Sequence, residues 1–385
     1  MTERALAHIE KIANIEPIPG YDRVELATIL GWKVIVRKGE FQIGSWCCYF
    51  EIDSKLPEKE WSEFLRPRHF KVKTQKMCKV YSQGLALPID CIPELKEKPL
   101  IIGQDVTSIL GVTYSVQEDN IRKSKNGDPN VKYKSMAARH QKFFKKKPIR
   151  WLMRRSCGRK LLFLFFGRKK DKPKKFPEWI SKTDETRIEN APFYLESMDP
   201  WTKTEKIDGT SSTYAIDFTK KKKCEFIVCS RNVRQRDEEQ ACYHECGNCY
   251  WEMAVKYNIE TALKNIALDY DAKRVVLQGE TYGESLQGNP YKLKDRRFAA
   301  FNLIIDGKRL DSVEAKEILN DYDIPFVPII DENYYLPKDM ETFKLEADGK
   351  SVIADVKREG FVYRSKDGSK SFKNVSREYL LKHSN

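Results

Sequence analysis

Apolar and polar residues alternate on both sides of Gly31, in Val24-Glu25-Leu26-Ala27-Thr28-Ile29-Leu30 and in Trp32-Lys33-Val34-Ile35-Val36. A period of two places every second side chain on one face of a strand, so the pair predicts a hairpin. Gly39 and Gly44 bracket another turn before Trp46-Cys47-Cys48-Tyr49-Phe50-Glu51-Ile52. Short strands punctuated by glycine predict a small β-barrel over residues 1–112. From Phe176 onward the pattern changes. Phe226–Ser230, Arg274–Glu280, Phe298–Ile305 and Glu359–Arg364 read as strands, whereas Tyr250–Leu268 has the period of a helix. Ser312–Asp321 reads as a capped helix, and Ser181–Asn190 offers a capping hydroxyl followed by helix formers. Residues 176–385 are therefore expected to form an α+β domain dominated by antiparallel strands, with no internal repeat.

Charge separates these two segments. Residues 121–175 contain 21 Lys or Arg against Asp128 and Asp171, so the rest of a chain with net charge +14 sums to −5. Residues 113–175 are expected to be a basic connector of low order. Aromatics interleave with its cations, as in Phe143-Phe144-Lys145-Lys146-Lys147 and Arg150-Trp151. Cations release counterions from phosphates and rings stack on bases, which points to nucleic acid more than to an acidic membrane surface. A second basic stretch, with Arg66, Arg68, Lys71, Lys73, Lys76 and Lys79, reads as a barrel strand or loop that either tracks phosphates or is merely solvated.

Composition closes off other classes. The longest apolar run, Leu161–Phe166, has six residues, far below the roughly 18 that cross a bilayer, and suggests a short surface or interdomain helix. Residues 1–8 lack the apolar core of a signal peptide, so an intracellular protein without a membrane partner is expected. Ten cysteines then stay reduced. Cys246 and Cys249 have the gap that zinc favours, with Cys224, Cys229, Cys242 and His244 nearby, but a second such pair is missing. Zinc and ordinary reduced thiols both remain readings of this cluster.

The chemistry centres on Thr204-Glu205-Lys206-Ile207-Asp208-Gly209. A lysine in a polar loop becomes a nucleophile once its amine loses its proton, and covalent chemistry on phosphate exploits that. Alone, the segment could equally be a turn in which Gly209 supplies an unusual backbone angle. Downstream come Ser230-Arg231-Asn232, Gly279-Glu280-Thr281-Tyr282-Gly283, Phe298-Ala299-Ala300-Phe301-Asn302, Glu359-Gly360-Phe361-Val362 and Ser371-Phe372-Lys373. In this order the segments resemble motifs I, Ia, III, IIIa, IV and V of the covalent nucleotidyltransferases. Lys182-Thr183-Asp184-Glu185-Thr186-Arg187 resembles the lead-in of the RNA ligase branch. Ile15–Gly20 and Val80–Pro88 are similar to barrel signatures of the Deinococcus/Naegleria type of ATP-dependent RNA ligase. Only the connector lies outside the likeness.

The resemblance implies an oligonucleotide-binding (OB) barrel followed by a sheet-rich, ATP-grasp-like adenylyltransferase domain. It implies an enzyme that uses ATP and Mg2+ or Mn2+ to join the 3′-hydroxyl and 5′-phosphate ends of RNA or an RNA-containing duplex; a monomer is expected, with the oligomeric state left open. Lys206 would carry AMP, and Glu205, Gly209, Arg231, Glu280, Phe301, Glu359 and Lys373 would line the ATP site with it. Phe301 would stack on adenine while Glu205 accepts from its amino group. Asp208, Glu280 and Glu359 would hold the metal, and Arg231, Lys370 and Lys373 would neutralise the transferring phosphate. Motif V departs from the usual Lys-x-Lys, because Ser371 stands two before Lys373 and Lys370 one further back. A DNA ligase or guanylyltransferase would carry its barrel after the catalytic domain. A non-catalytic RNA-binding protein would not need Lys206, Asp208, Glu280, Glu359 and Lys373 together.

Overall fold

The computed structural model describes residues 4–96, 98–115, 133, 136–137, 140–166, 175–219, 224–237, 240 and 243–383. The N-terminal strands are β1 (Ala7–Lys11), β2 (Asn14–Ile18), β3 (Tyr21–Ile29), β4 (Trp32–Arg37), β5 (Trp46–Phe50), β6 (Ser54–Lys55), β7 (Gln75–Met77), β8 (Val80–Ser82), β9 (Leu85–Pro88) and β10 (Thr113–Tyr114). As the alternation predicts, β3 and β4 form an antiparallel hairpin from Val24↔Arg37 to Ile29↔Trp32. Its inward set (Ala27, Ile29, Trp32, Val34, Val36) packs with Cys47, Tyr49 and Ile52 in one core. A second core gathers Leu6, Ile9, Phe50, Leu65 and Val106, beside helix α1 (Thr107–Leu110). The last strand, β10, returns to pair with β6 just past residue 112. Arg66 and Arg68 lie in a 3-10 helix over Glu60–Arg68 rather than on a strand, and Arg66 is paired with Glu63.

The expected low-order connector contains helices α2 (Gln141–Phe144), α3 (Lys147–Arg154) and α4 (Ser156–Phe166). Met136, Phe144 and Leu162 are buried there, with Ile149, Leu152 and Phe166 packed around them. The charge run concealed a helical apolar pattern.

Two five-stranded sheets follow. One has the order β11 (Thr186–Arg187), β20 (Ser371–Val375), β19 (Gly360–Ser365), β12 (Trp201–Glu205), β18 (Ile329–Tyr334). The other runs β14 (Glu225–Ser230), β13 (Thr210–Asp217), β15 (Arg274–Gly283), β16 (Arg296–Ile305), β17 (Lys308–Arg309). Helices α5 (Tyr243–Cys246), α6 (Cys249–Lys256), α7 (Ile259–Asp269) and α8 (Ser312–Asn320) follow in this part of the chain. The second sheet buries Tyr214, Val228, Leu277 and Phe298 against Trp251 of α6, Leu263 of α7 and Leu319 of α8. The first sheet packs Trp201, Phe361, Tyr363 and Phe372 on Phe343 of α9 (Met340–Glu346). The chain ends in α10 (Arg377–His383).

Two local expectations are corrected. Residues 181–190 form no α-helix: Thr186–Arg187 pairs in parallel with Phe372–Lys373, and the partner strand overrides local capping propensity. The Tyr250–Leu268 helix is broken by Asn258, whose φ of 47° is left-handed. The capped helix expected over Ser312–Asp321 is present as α8, with Asp311 as its cap accepting from the Val313 amide.

Barrel and sheets share a tight joint. Gly31 N–H donates to Glu189 O at 2.8 Å, and the Trp32 indole donates to Asn190 Oδ1 at 2.5 Å. Gly31 has no spare room, because a Cβ would sit 2.7 Å from Met340 Cε and 2.8 Å from Glu189 Cα. From the C-terminal helix, Leu380 packs on the barrel core and the Arg377 guanidinium lies 5.0 Å from the Tyr81 ring centre.

Candidate active site

The chain crosses from one sheet to the other at residues 206–209, between the end of β12 and the start of β13. That crossing puts Lys206 at the floor of a cavity of about 590 Å³ between the sheets. Gly209 is needed for closeness rather than for an unusual φ: a Cβ there would meet Thr281 O at 2.4 Å. Its absence lets the loop lie against β15, where Ser211 is in register with Glu280.

Lys206 Nζ forms a 2.8 Å ion pair with Glu359 Oε1, and Glu359 Oε2 is buried without a partner. Burial works against the lysine charge, but Glu359, Glu280 and Asp208 outweigh it and hold the amine above the ordinary lysine value. Lys203, three residues earlier, is occupied elsewhere. Its ammonium pairs with Glu346 at 3.0 Å and lies 4.2 Å from the Tyr334 ring centre. Lys206 is thus the lysine of this segment that faces the cavity.

The carboxylates around it repel one another. Burial, then the charge of Glu359 and Asp208 set against the pull of Lys206, leaves Glu280 pushed up to about 8. Burial and Glu359 likewise raise Asp208, whose carboxylate accepts from the Tyr379 hydroxyl and whose backbone N–H donates to Tyr291 Oη at 2.9 Å. Among the described residues no three His, Cys, Asp or Glu side chains converge closely enough to hold a metal as they stand. Asp208, Glu280 and Glu359 nonetheless line one cavity as hard oxygen donors, with an orphaned carboxylate oxygen on Glu359. That donor set fits a divalent cation bound partly through water.

A cationic wall stands opposite. Asp184 bridges Arg231 and Lys373, each at 3.0 Å. Burial, then the cations of Arg187, Arg4 and Lys206 against the pull of Asp184, presses Lys373 down to about 8. Arg187 is buried; its Nε and Nη1 have no partner, while Nη2 is 3.5 Å from Asp53. Buried, unfilled guanidinium donors in a cavity suit an anion such as phosphate. Arg4 comes from the barrel, paired with Glu51, and lines the same cavity with Asp53 and Tyr114.

The structure therefore brings Lys206, Asp208, Gly209, Arg231, Glu280, Phe301, Glu359 and Lys373 into one cavity. Lys370 is a correction: it is exposed in the β19–β20 turn, bonded to Ser365, and does not line the cavity. Ser371 instead donates to Glu185, which also holds Arg364. Glu205 lies at the wall, but its two oxygens already accept from the Ser351 hydroxyl and the Val352 N–H. Phe301 offers part of its face beside Ile207, Val327 and Val362, with Arg364 5.5 Å from its ring centre. Sequence reasoning assigned no role to Arg4, Asp184, Arg187 or Tyr379; Asp184 and Arg187 stood within a recognised segment, but Arg4 and Tyr379 carried no local signal.

The cysteine cluster supports no metal site among the described residues. Cys242 and the Cys246 side chain lie outside them, and burial pushes the Cys229 thiol up to about 12 and Cys249 to about 11. No helix among the described residues is long and apolar enough to cross a membrane.

Comparison with known proteins agrees with this geometry. A family model described as an OB-fold domain matches residues 6–89, and one described as RNA ligase matches residues 199–382. No curated protein matches the chain in sequence. The solved Naegleria gruberi RNA ligase with PPi is similar at 28% identity and a TM-score of 0.75, covering 99% of each chain. A mutant of that ligase with AMP and Mn gives 29% identity, a TM-score of 0.74 and 99% of each chain. Another mutant, with ATP and Mn, gives 27% and 0.75 over 99% of this chain and all of the other. The likeness to solved ATP-binding RNA ligase structures thus runs along nearly the whole of both chains, and residues 199–382 match the RNA ligase family.

Proposed function

We propose that the protein seals 3′-hydroxyl to 5′-phosphate ends of RNA, at nicks in duplexes, through AMP carried on Lys206 and then on the 5′ end. The observation that carries this reading is the Lys206 amine at the sheet crossing, set between a carboxylate wall and a cationic wall. Lys206 Nζ attacks the α-phosphorus of ATP, the bond to the β-phosphate oxygen breaks, and pyrophosphate leaves. The 5′-phosphate oxygen of RNA then takes AMP from Lys206, and the 3′-hydroxyl displaces AMP to form the phosphodiester.

Each wall has a task in this sequence. Magnesium or manganese, when bound, supplies positive charge at Asp208, Glu280 and Glu359 and relieves their hold on the Lys206 proton. Arg231, Lys373 and Arg187 bind phosphate oxygens, and the Asp184 carboxylate keeps the first two in place until an anion arrives. Phe301, Ile207 and Val362 give the adenine an apolar surface. With Glu205 engaged by Ser351 and Val352, adenine reading by its carboxylate uses the lone pairs those two bonds leave over. Arg4 and Tyr114 bring the barrel to the cavity edge, so RNA lies across both domains.

Incubation with α-labelled ATP and magnesium, followed by a denaturing gel, tests the reading. The wild-type chain is expected to retain label and Lys206→Ala to lose it. Equal labelling of the variant, or labelling from GTP alone, would overturn it. A panel of nicks with ribose or deoxyribose on each side of the break then defines the substrate.

A further inference from the structure

Three observations converge on helices α2–α4. Residues 140–166 contain nine Lys or Arg and no Asp or Glu. Among the described residues none of the nine forms an ion pair, and Lys145, Lys146, Lys147, Arg150, Arg154 and Arg155 are all exposed. Beside them Trp151 is 55% exposed, with the Arg155 guanidinium 4.1 Å from its ring centre. The unit closes on its own small core, so its charged surface is not required to hold the sheets together.

Its attachment points decide what it meets. Before the insert, Tyr114 lines the catalytic cavity and pairs with Ser54. After it, Lys175 bridges to Val233, another residue of the cavity wall, close to Arg231. Nine residue steps separate Phe166 from Lys175, which extended chain spans by at most ~30 Å. That reach is on the order of one turn of a duplex, roughly ten base pairs.

We propose that α2–α4 are a second RNA-contact surface, which grips backbone phosphates about one helical turn away from the break, beyond the nearest five base pairs. The inference rests on the reading of the protein as an RNA-joining enzyme and adds where its substrate is held. Lys145–Lys147, Arg150, Arg154 and Arg155 neutralise phosphates, while Trp151 offers a stacking face at an end or unpaired base. Leu161, Leu164 and Phe165 form an exposed apolar strip on α4, which a lipid surface could also use. The tether to the cavity wall and the absence of acids favour RNA, because the enzyme's own polyanionic substrate must pass the same rim.

The test uses the full-length chain carrying Arg150→Glu, Arg154→Glu and Arg155→Glu together, with Trp151→Ala as a second variant. Binding of a nicked RNA duplex is measured across a salt series with flanks of five and of 24 base pairs. For the long flank the triple variant is expected to bind at least ~10-fold more weakly, with the slope of log K against log salt reduced by about 2–3. Trp151→Ala is expected to weaken binding of the same RNA about 5-fold or more. The short flank should be bound equally by wild type and variants, and self-labelling with ATP should be unchanged, which also shows that the variants fold. Unchanged affinity and slope on the long flank would overturn the proposal, as would equal losses on both flanks. If binding to phosphatidylserine vesicles is lost while RNA binding is kept, the surface is a membrane contact instead. A wild-type chain that fails to self-label defeats the catalytic reading, separately from any result on RNA binding.

Discussion

Lys206 and Glu359 are joined by a 2.8 Å ion pair, although 153 residues separate them in the chain. The contact exists because β12 and β19 are antiparallel neighbours and Lys206 N–H bonds Gly360 O at 3.0 Å, past the last strand pair. Glu359 therefore both orients the amine and keeps it charged while no cation competes. Glu359→Gln preserves shape but removes the anion, so the amine is less firmly placed and one hard donor to a divalent cation weakens. Self-labelling is expected to fall about 100-fold, a loss typical of removing one preorganised group from a phosphate-transfer site. Labelling within 2-fold of wild type would show that Glu359 takes no part.

Tyr379 extends the carboxylate wall from behind. Its hydroxyl donates to Asp208 Oδ2, and α10 carries it there from the C-terminal end of the chain. Groups that orient a metal-holding carboxylate affect metal use more than the overall fold. Tyr379→Phe is expected to raise the manganese concentration for half-maximal labelling about 10-fold, with little change in the maximum. A lowered maximum at an unchanged metal requirement would sink that role.

Lys373 gives the cationic wall a pH limit. Its amine is pressed down to about 8, so it is charged below that pH and loses its proton as pH rises through it. Phosphate-binding support from Lys373 is then lost above about pH 8. An arginine in its place stays charged throughout. The ratio of Lys373→Arg to wild-type labelling rates, measured from pH 6.5 to 9.5, is expected to be flat at first and to climb above about pH 8. A flat ratio across the range would mean that the Lys373 charge is not used.

The legible part of this fold and site was local. Strand alternation around Gly31 and the four residues from Lys206 to Gly209 are set by near neighbours, and the barrel hairpin and the loop at 206–209 stand where they were expected; that the loop joins two sheets was not legible. The missed residues act through partners far along the chain. Asp184 meets Lys373 across 189 residues, and Arg4 reaches the cavity only because the barrel docks at Gly31 and Asn190. The failed helix at 181–190 has the same origin, since a parallel pairing with β20 outweighs its capping pattern. Lys370 shows the converse error. The resemblance to motif V suggested a second cation there, although its spacing departed from the family pattern; the β19–β20 turn points that residue to solvent, and Ser371 keeps the inward position with Glu185.

The barrel contains a buried charge network whose pH response can be worked out. His8 Nδ1 lies 2.8 Å from Glu10 Oε1 and Nε2 lies 3.7 Å from Glu51 Oε1, with the Tyr49 ring edge-on and Arg4 on the far side of Glu51. Burial opposes the imidazolium, but Glu10 and Glu51 outweigh it and raise His8 to about 9. Burial also opposes the Glu51 carboxylate, and His8 and Arg4 overcome that, drawing it down to about 2. A raised histidine stabilises the fold fully below its unfolded value near 6.5, and that contribution fades as pH climbs through about 9. A lowered glutamate contributes above about 4.5, and its share is lost as pH falls toward 2. Both are complete only between about pH 4.5 and 6.5. Loss of the His8 term is worth on the order of 3 kcal/mol, at 1.36 kcal/mol per pKa unit. The Tm of the wild-type chain is therefore expected to drop several degrees more between pH 6 and 9.5 than that of His8→Gln, which is less stable at pH 6 but lacks the titration. Parallel Tm curves would show that His8 is neutral in the folded barrel. Because Glu51 also accepts from Asn190 Nδ2 at the interdomain joint and holds Arg4 at the cavity edge, RNA sealing above pH 8 should weaken along with the barrel.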